Sequence, residues 1–466
     1  MRLFFMLLTL SLFGCKSIGR FEQQPLTLPE SYPQAEVLGA DSLFLIELSW
    51  TSFFKDPVLQ QIIKEALLYN MEYQIAERQL HIAATLLKQQ RQAIAPELSL
   101  SPSYSLNQNS ANTQFGRIVG RQSLSQIDFG AIFSWEIDVW GRLKASSYQA
   151  LLSYQQSQEA LHYIHAQLIS TIALTYFQLL VLDEQQQIME STIDNREHNL
   201  QTMQALQQAG IVNQAAVHQV EAQLLLAKTL DVDLKRDIQL QEHILSMLQG
   251  KPMSTWKRGH IYQQEFPLFF TLGVPMDLLA QRPDLRAAEL EIHRAFTEIK
   301  IAKRNFYPAL RITAQAGLQT IDMQQLFNPS SLFTNLLFSL TQPIYNQRKL
   351  RSAYEIAIFQ KQQAVFQFNH TLLTAFKEVL DALVSYTSSL EKEDLLNRQG
   401  HLYQQSEEFT ADLLSQGMVN YLELIYARDR SLSAQIARLD NQYDMLSAII
   451  NLYRALGAGQ SEVPDF

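Results

Sequence analysis

Two stretches of this chain, 142–209 and 346–399, contain neither glycine nor proline, and after the second only Gly400 intervenes before Gly417. Some seventy helical residues at 1.5 Å each make a rod of about 100 Å. Globular helices are far shorter, so rods of this length require coiled-coil packing. Each rod meets a glycine, Gly210 or Gly417, where a left-handed turn costs little. The expected unit is therefore a long helical hairpin.

The two hairpins are copies. Leu206-Gln207-Gln208-Ala209-Gly210-Ile211-Val212-Asn213 aligns with Leu413-Leu414-Ser415-Gln416-Gly417-Met418-Val419-Asn420, and Gly250 aligns with Gly457 without a gap. Upstream, Pro96–Leu100 matches Pro308–Ile312 with a different offset, so an insertion or deletion falls between, expected in a loop. Self-similarity of this length means two large supersecondary units. Each reads as helix, two strands, then two helices. The helix expected over 283–306 opens on Pro283 and Asp284, suited to a first turn. Leu285, Ile292, Ile299 and Phe306 recur every seven residues, as do Ala288, Ala295 and Ala302, a seam with a large and a small layer. Pro308 ends it.

The strands expected over 97–106, 124–138, 309–319 and 333–344 alternate strictly. Leu98, Leu100, Pro102, Tyr104 and Leu106 interleave with Glu97 and a run of serines; Ile127, Phe129, Ala131, Phe133, Trp135 and Ile137 interleave with polar and small residues. Such a sheet is wet on one side and oily on the other. It fits a soluble sandwich, or tilted transmembrane strands of about 9–11 residues. Pro102 calls for an unpaired or bulged position. No later segment offers eighteen consecutive apolar residues, so a membrane crossing would fall to the strands. Four strands cannot close a barrel, and an open edge in lipid leaves backbone groups unpaired. Transmembrane strands would then be pooled by several chains, and three chains give twelve.

Residues 1–14 read as a signal peptide: Arg2, then an apolar run from Leu3 to Phe13 too short to span a bilayer. The single cysteine, Cys15, follows Gly14 as in a bacterial lipobox, where sulfur and new amine would carry acyl chains. Lys16 leans toward the outer membrane. A plain signal peptide with an incidental cysteine is the alternative. One cysteine makes neither an internal disulfide nor a zinc site, and the net charge of −9 argues against nucleic acid. Among motifs with chemistry, there is no phosphate-cradling loop, HExxH, CxxC or nucleophile elbow. His162 and His165 with Glu159 have a spacing able to hold a metal, but no further ligand suggests itself, and no cofactor is expected. Glu407, Glu408 and Asp412 precede the second turn.

The segment Gly273-Val274-Pro275-Met276-Asp277-Leu278-Leu279-Ala280-Gln281-Arg282-Pro283-Asp284-Leu285-Arg286-Ala287-Ala288-Glu289 resembles the signature of TolC-type outer-membrane efflux proteins, lipoprotein (NodT) branch. Trp50–Leu59 with Asp56-Pro57, Trp135–Leu143, and Leu452–Gly457 resemble further family blocks. The resemblance covers essentially the whole mature chain. It implies a mainly α fold with a membrane β-barrel: a duplicated unit, four strands per chain, twelve in a homotrimer, and a coiled-coil α-helical barrel crossing the periplasm. The divisions are 1–14 signal, 15–55 anchor and linker, 56–262 and 263–457 the repeats, and 458–466 a tail. It implies no enzyme but a passive exit duct for drugs or other small toxic solutes, lipid-anchored in the outer membrane. Its partners would be a periplasmic adaptor and an inner-membrane transporter, often of the resistance–nodulation–division type. Gly210, Asn213, Gly417, Asn420 and Glu423 would form the adaptor-contacting tip. Both asparagines are suited to cap the next helix, and Leu206 and Leu413 stand where the family often has Arg. Glu408 and Asp412 would form an acidic ring at the periplasmic aperture, with Glu407 a solvated-face residue. The same fold serves type I protein secretion, and a poreless lipid-anchored scaffold is a further alternative.

Overall fold

The computed structural model describes residues 49–457 except 109, 122, 254, 255, 257, 265–278 and 280. Cys15, the signal segment, most of 273–280 and the tail from 458 onward lie outside the described residues. The helices and strands, in chain order, are α1 Trp50–Phe53, α2 Pro57–Tyr69, α3 Met71–Gln92, β1 Glu97–Gln108, α4 Gln114–Val119, β2 Ser123–Ile137, α5 Arg142–Gln208 and α6 Gln214–Leu248. The second half supplies α7 Pro283–Arg304, β3 Ala309–Thr320, β4 Leu332–Thr341, α8 Lys349–Ser415 and α9 Tyr421–Ala455.

The duplication is carried to the residue. Helices α3 and α7 have 22 residues each, β1 and β3 have 12, α5 and α8 have 67, and α6 and α9 have 35. Sixty-seven residues span about 100 Å. Helix α8 runs straight through Gly400. The change in offset is not confined to a loop: β2 has 15 residues and β4 only 10.

The strands form one antiparallel sheet in the order β1-β2-β3-β4. Three expectations are corrected. Strand β4 stops at Thr341 rather than 344, two residues before Pro343, which has no N–H to give the ladder. The register runs unbroken past Pro102, opposite Phe129, because β1 is an edge strand, where proline is tolerated. Helix α7 ends at Arg304, so Phe306 falls beyond it and is 39 % exposed. Leu285, Ala295 and Ala302 are buried, while Ile292, Ile299 and Ala288 are only partly covered. The small layer carries most of the packing, because α7 lies close against both α5 and α8.

The main core gathers the middle of the hairpins around α2: Leu59, Ile62 and Ile63 meet Ile172, Tyr176 and Leu179 of α5, Val379 and Leu383 of α8, and Ile449 and Leu452 of α9. Phe53 stacks on Tyr453 at 4.2 Å. Helix α5 contains an 18-residue window apolar enough to cross a bilayer, but 72 % of it is buried in the fold, so its oil serves the core. Asp56 caps α2 through Val58 N–H at 2.7 Å and accepts from the Tyr176 hydroxyl at 2.7 Å and Gln264 at 2.9 Å. That joins the N-terminal helices to the hairpin and to the linker between repeats. Burial, followed by the neighbouring Asp56, pushes the Tyr176 hydroxyl well above its ordinary pKa, so it stays a donor.

Candidate functional site: the bare sheet face and the hairpin tips

In an antiparallel sheet, residues paired in register share a face. Leu98, Phe133, Ala314 and Leu336 make one row across all four strands; Pro102, Phe129, Leu318 and Leu332 make another; Trp135, Ile312 and Phe338 a third. No charged residue falls on this face. Leu98 and Leu100 are each 72 % exposed, Leu336 60 % and Phe338 64 %. A soluble sandwich would cover these side chains; here they are bare, on a continuous patch far beyond the scattered singles of ordinary surfaces. The opposite face carries the polar and charged residues, Ser99, Ser101 and Ser103 with Gln315 and Gln319, and a Gly130–Gly317 pair, alongside Ile132, Phe333 and Leu337. A Cβ at Gly317 would stand 2.3 Å from Gly130 Cα, so only glycine permits that approach. At the helix-proximal rim, Trp140 stacks on Tyr307 at 5.0 Å and donates to the Pro308 carbonyl at 2.8 Å. Trp135 donates to the Ile94 carbonyl at 3.0 Å. Amphipathic rings here suit a membrane–water boundary.

At the other end of the hairpins, Gly210 (φ 74°) and Gly417 (φ 73°) hold the left-handed conformation. Ile211 N–H donates to the Leu206 carbonyl at 2.9 Å and Met418 N–H to the Leu413 carbonyl at 3.0 Å, the six-to-one bond that ends a helix on glycine. Asn213 and Asn420 cap the next helices, accepting from Ala216 N–H at 3.0 Å and Glu423 N–H at 3.1 Å. Glu423 lies in the first turn of α9, where the dipole favours an acid. Leu206 joins a small apolar cluster with Met203, Val217 and Val220, against Tyr421 and Ile425 of the other hairpin. Sequence reasoning does not anticipate this bridge, although the i, i+4 spacing of Tyr421 and Ile425 on α9 carries it.

Glu408 and Asp412 are exposed, one turn apart on the same side of α8, without a cationic partner among the described residues; Glu408 accepts from Gln404 at 3.3 Å. Glu407 instead faces Arg428 of α9 at 3.4 Å. Beside it Arg196 of α5 reaches Asp429 at 2.6 Å and the Gln223 carbonyl at 2.5 Å. Glu407, Arg428 and Arg196 line a groove of about 520 Å³ between α5, α8 and α9. Burial raises the Asp429 carboxyl above its ordinary range although Arg196 opposes it.

The Arg282-Pro283-Asp284 motif has a structural meaning that its sequence does not announce. Arg282 is buried, forks onto Asp284 at 2.9 and 2.7 Å, reaches Glu378 of α8 at 2.9 Å, and donates to the Ala455 carbonyl at the end of α9 at 2.8 Å. Burial works against its charge, but the two carboxylates outweigh that and hold its pKa above the usual value. Asn70, the counterpart of Arg282, caps α3 and donates to the Leu248 carbonyl at 2.8 Å. Leu248 is in turn the counterpart of Ala455, so both repeats tie the same two helix ends.

His162 contacts Glu159 at 3.4 Å, while His165 is buried near the Tyr73 ring. No group of three metal-ligating side chains occurs among the described residues. Burial first, and His162 second, push the His165 pKa down to about 4. The folded chain thus keeps it neutral while the unfolded chain protonates it below about pH 6.5. Stability should fall as pH drops from about 6.5 to about 4, by about 3 kcal/mol per chain for this group. Urea unfolding at pH 7 and pH 4.5 checks this: His165→Gln should lose less stability on acidification than wild type.

A sheet oiled on its outer face, set at one end of hairpins about 100 Å long, is the build of an outer-membrane channel. The sequence profile of the outer membrane efflux protein family matches residues 62–251 and 274–458, once per repeat. The chain belongs to that family and is the outer-membrane component of an efflux pump. It is 27 % identical to the solvent efflux pump outer membrane protein SrpC of Pseudomonas putida over 465 residues, covering 97 % of each chain. It is equally 27 % identical, over 459 residues and 97 % of each, to the probable outer membrane lipoprotein SilC of Salmonella typhimurium. The open-state MtrE outer membrane channel of Neisseria gonorrhoeae has the same fold, with a TM-score of 0.84 at 24 % identity over 96 % of this chain and 99 % of that one.

Proposed function

We propose that three copies close into one tube, a twelve-stranded barrel continued by a helical barrel through the periplasm, and that this tube passively conducts small toxic solutes. The observation that carries the reading is the bare apolar face bounded by two open edges, β1 and β4. In lipid those edges need partners. Two copies would give eight strands, whose side chains nearly fill the interior; three leave a lumen.

In this arrangement the tips at Gly210, Asn213, Gly417, Asn420 and Glu423 meet a periplasmic adaptor, and energy comes from an inner-membrane transporter of the resistance–nodulation–division type. The chain performs no chemistry. Glu408 and Asp412, repeated three times, form the acidic aperture, and Cys15 carries the lipid anchor. SrpC's name gives solvents as its cargo, and small apolar toxicants or drugs are the cargo proposed here.

Crosslinking in cells through Asn213→Cys should recover an adaptor and a transporter. The purified mature chain should conduct in planar bilayers, and amides in place of Glu408 and Asp412 should lower its cation preference. A monodisperse monomer without conductance would overturn the duct, and an unchanged preference would remove those two carboxylates from the aperture.

A further inference from the structure

The polar face of the sheet carries four charged residues: Glu97, Asp128, Glu136 and Arg311. They are not equivalent. Glu136 lies between Arg142 at 2.5 Å and Arg311 at 3.5 Å, so its charge is matched at the helix-proximal end. Glu97 is the exposed first residue of β1. Asp128 lies in the outer half of the sheet with no cation within ion-pair distance among the described residues, yet it accepts the most side-chain hydrogen bonds of the four. Gln126 Nε2 donates to both its oxygens at 3.0 Å, Gln319 Nε2 to Oδ1 at 2.8 Å, and the Ser103 hydroxyl to Oδ2 at 3.3 Å. Three strands thus converge neutral donors on one carboxylate. Such neutral donors fix the carboxylate's place without cancelling its charge.

We propose that Asp128 makes the outer half of the duct selective for cationic over anionic solutes. The proposal rests on the trimeric-duct reading, because the tube turns one carboxylate into three around an axis. Twelve strands about 4.8 Å apart, tilted by about 40°, give a tube roughly 24 Å across at the backbone. Side chains reaching inward bring the carboxylates to within about one Debye length of the axis at 0.1 M salt, where that length is about 10 Å. Their field therefore covers the whole cross-section. A fixed ring of charge in a pore enriches counter-ions and depletes co-ions. The carboxamides add a second property: they hold the carboxylate against the wall, so the ring neither narrows the duct nor chelates the passing solute.

The test is the reversal potential of the purified full chain in planar bilayers under a potassium chloride gradient near 0.1 M. Wild type should prefer potassium over chloride. In Asp128→Asn the permeability ratio should fall by about threefold, while Asp128→Glu retains most of it. Glu97→Gln, which removes a carboxylate that no amide holds, should change the ratio by less than half as much. An Asp128→Asn channel that conducts with the wild-type ratio overturns the proposal. So does a Glu97→Gln channel that loses as much as Asp128→Asn. If wild type itself fails to conduct, the duct reading fails, and the selectivity ring with it.

Discussion

Arg282→Ala should lose about 3–5 kcal/mol of stability per chain and yield little assembled protein in the outer membrane. The magnitude follows from what remains after truncation. Asp284, Glu378 and the Ala455 carbonyl would keep their places around a buried hole with no donor, and breaking one side of a buried charge cluster costs about that much. The cluster also joins the start of α7 to the middle of α8 and to the last turn of α9, so the loss is felt in three helices at once. Arg282→Lys should recover only part of it, because an ammonium cannot fork onto Asp284 while also reaching the two other acceptors. Glu378→Gln should cost least: the amide oxygen still accepts a hydrogen bond, and Glu378 lies at the partly exposed edge of the cluster. Heat resistance of the assembled protein, together with the amount extracted from outer membranes, reads all three. An Arg282→Ala chain that assembles and melts like wild type would reduce the cluster to decoration.

The same residue marks the boundary of what the sequence discloses. Pro283 and Asp284 announce a helix start through local chemistry, and long breaker-poor runs that each turn at a glycine announce the hairpins. These are properties of a few neighbouring residues. Beyond Asp284, Arg282's partners lie 96 and 173 residues away, and Asp128 meets Gln319 across 191 residues. No periodicity encodes such pairings; in the alternating pattern Asp128 is simply one more polar-face residue. Phe306 shows the converse error. Its place in the heptad is faultless by spacing, but the helix ends two residues earlier, so spacing without a terminus overreached. Glu407 and Glu408 are adjacent in sequence and point to different fates, one toward Arg428 and one toward solvent, which only the placement of α9 decides.

The assignment of the two sheet faces predicts opposite outcomes for neighbouring residues of one strand. Leu336 pairs across Ala314 into the row that includes Phe133 and Leu98, in the middle of the apolar face; Asn335 pairs with Gln315 on the polar face. Leu336→Arg would place a guanidinium against hydrocarbon, at about 2–4 kcal/mol near the bilayer midplane. Three copies per tube multiply this to about 6–12 kcal/mol, comparable to the whole stability of an ordinary domain. The variant should fail to insert, with the chain degraded or held in the periplasm. Asn335→Arg adds the same charge and at least as much bulk, one residue away, but into the wet lumen; it should insert at near wild-type levels and change only conductance. Because both substitutions put the same side chain at adjacent positions of one strand, a large difference in insertion between them reports which face meets lipid. Equal insertion of the two, scored by outer-membrane fractionation and heat-modifiable mobility, would mean that the bare face is covered by something other than the bilayer. The register would then stand while the transmembrane reading of the sheet fell.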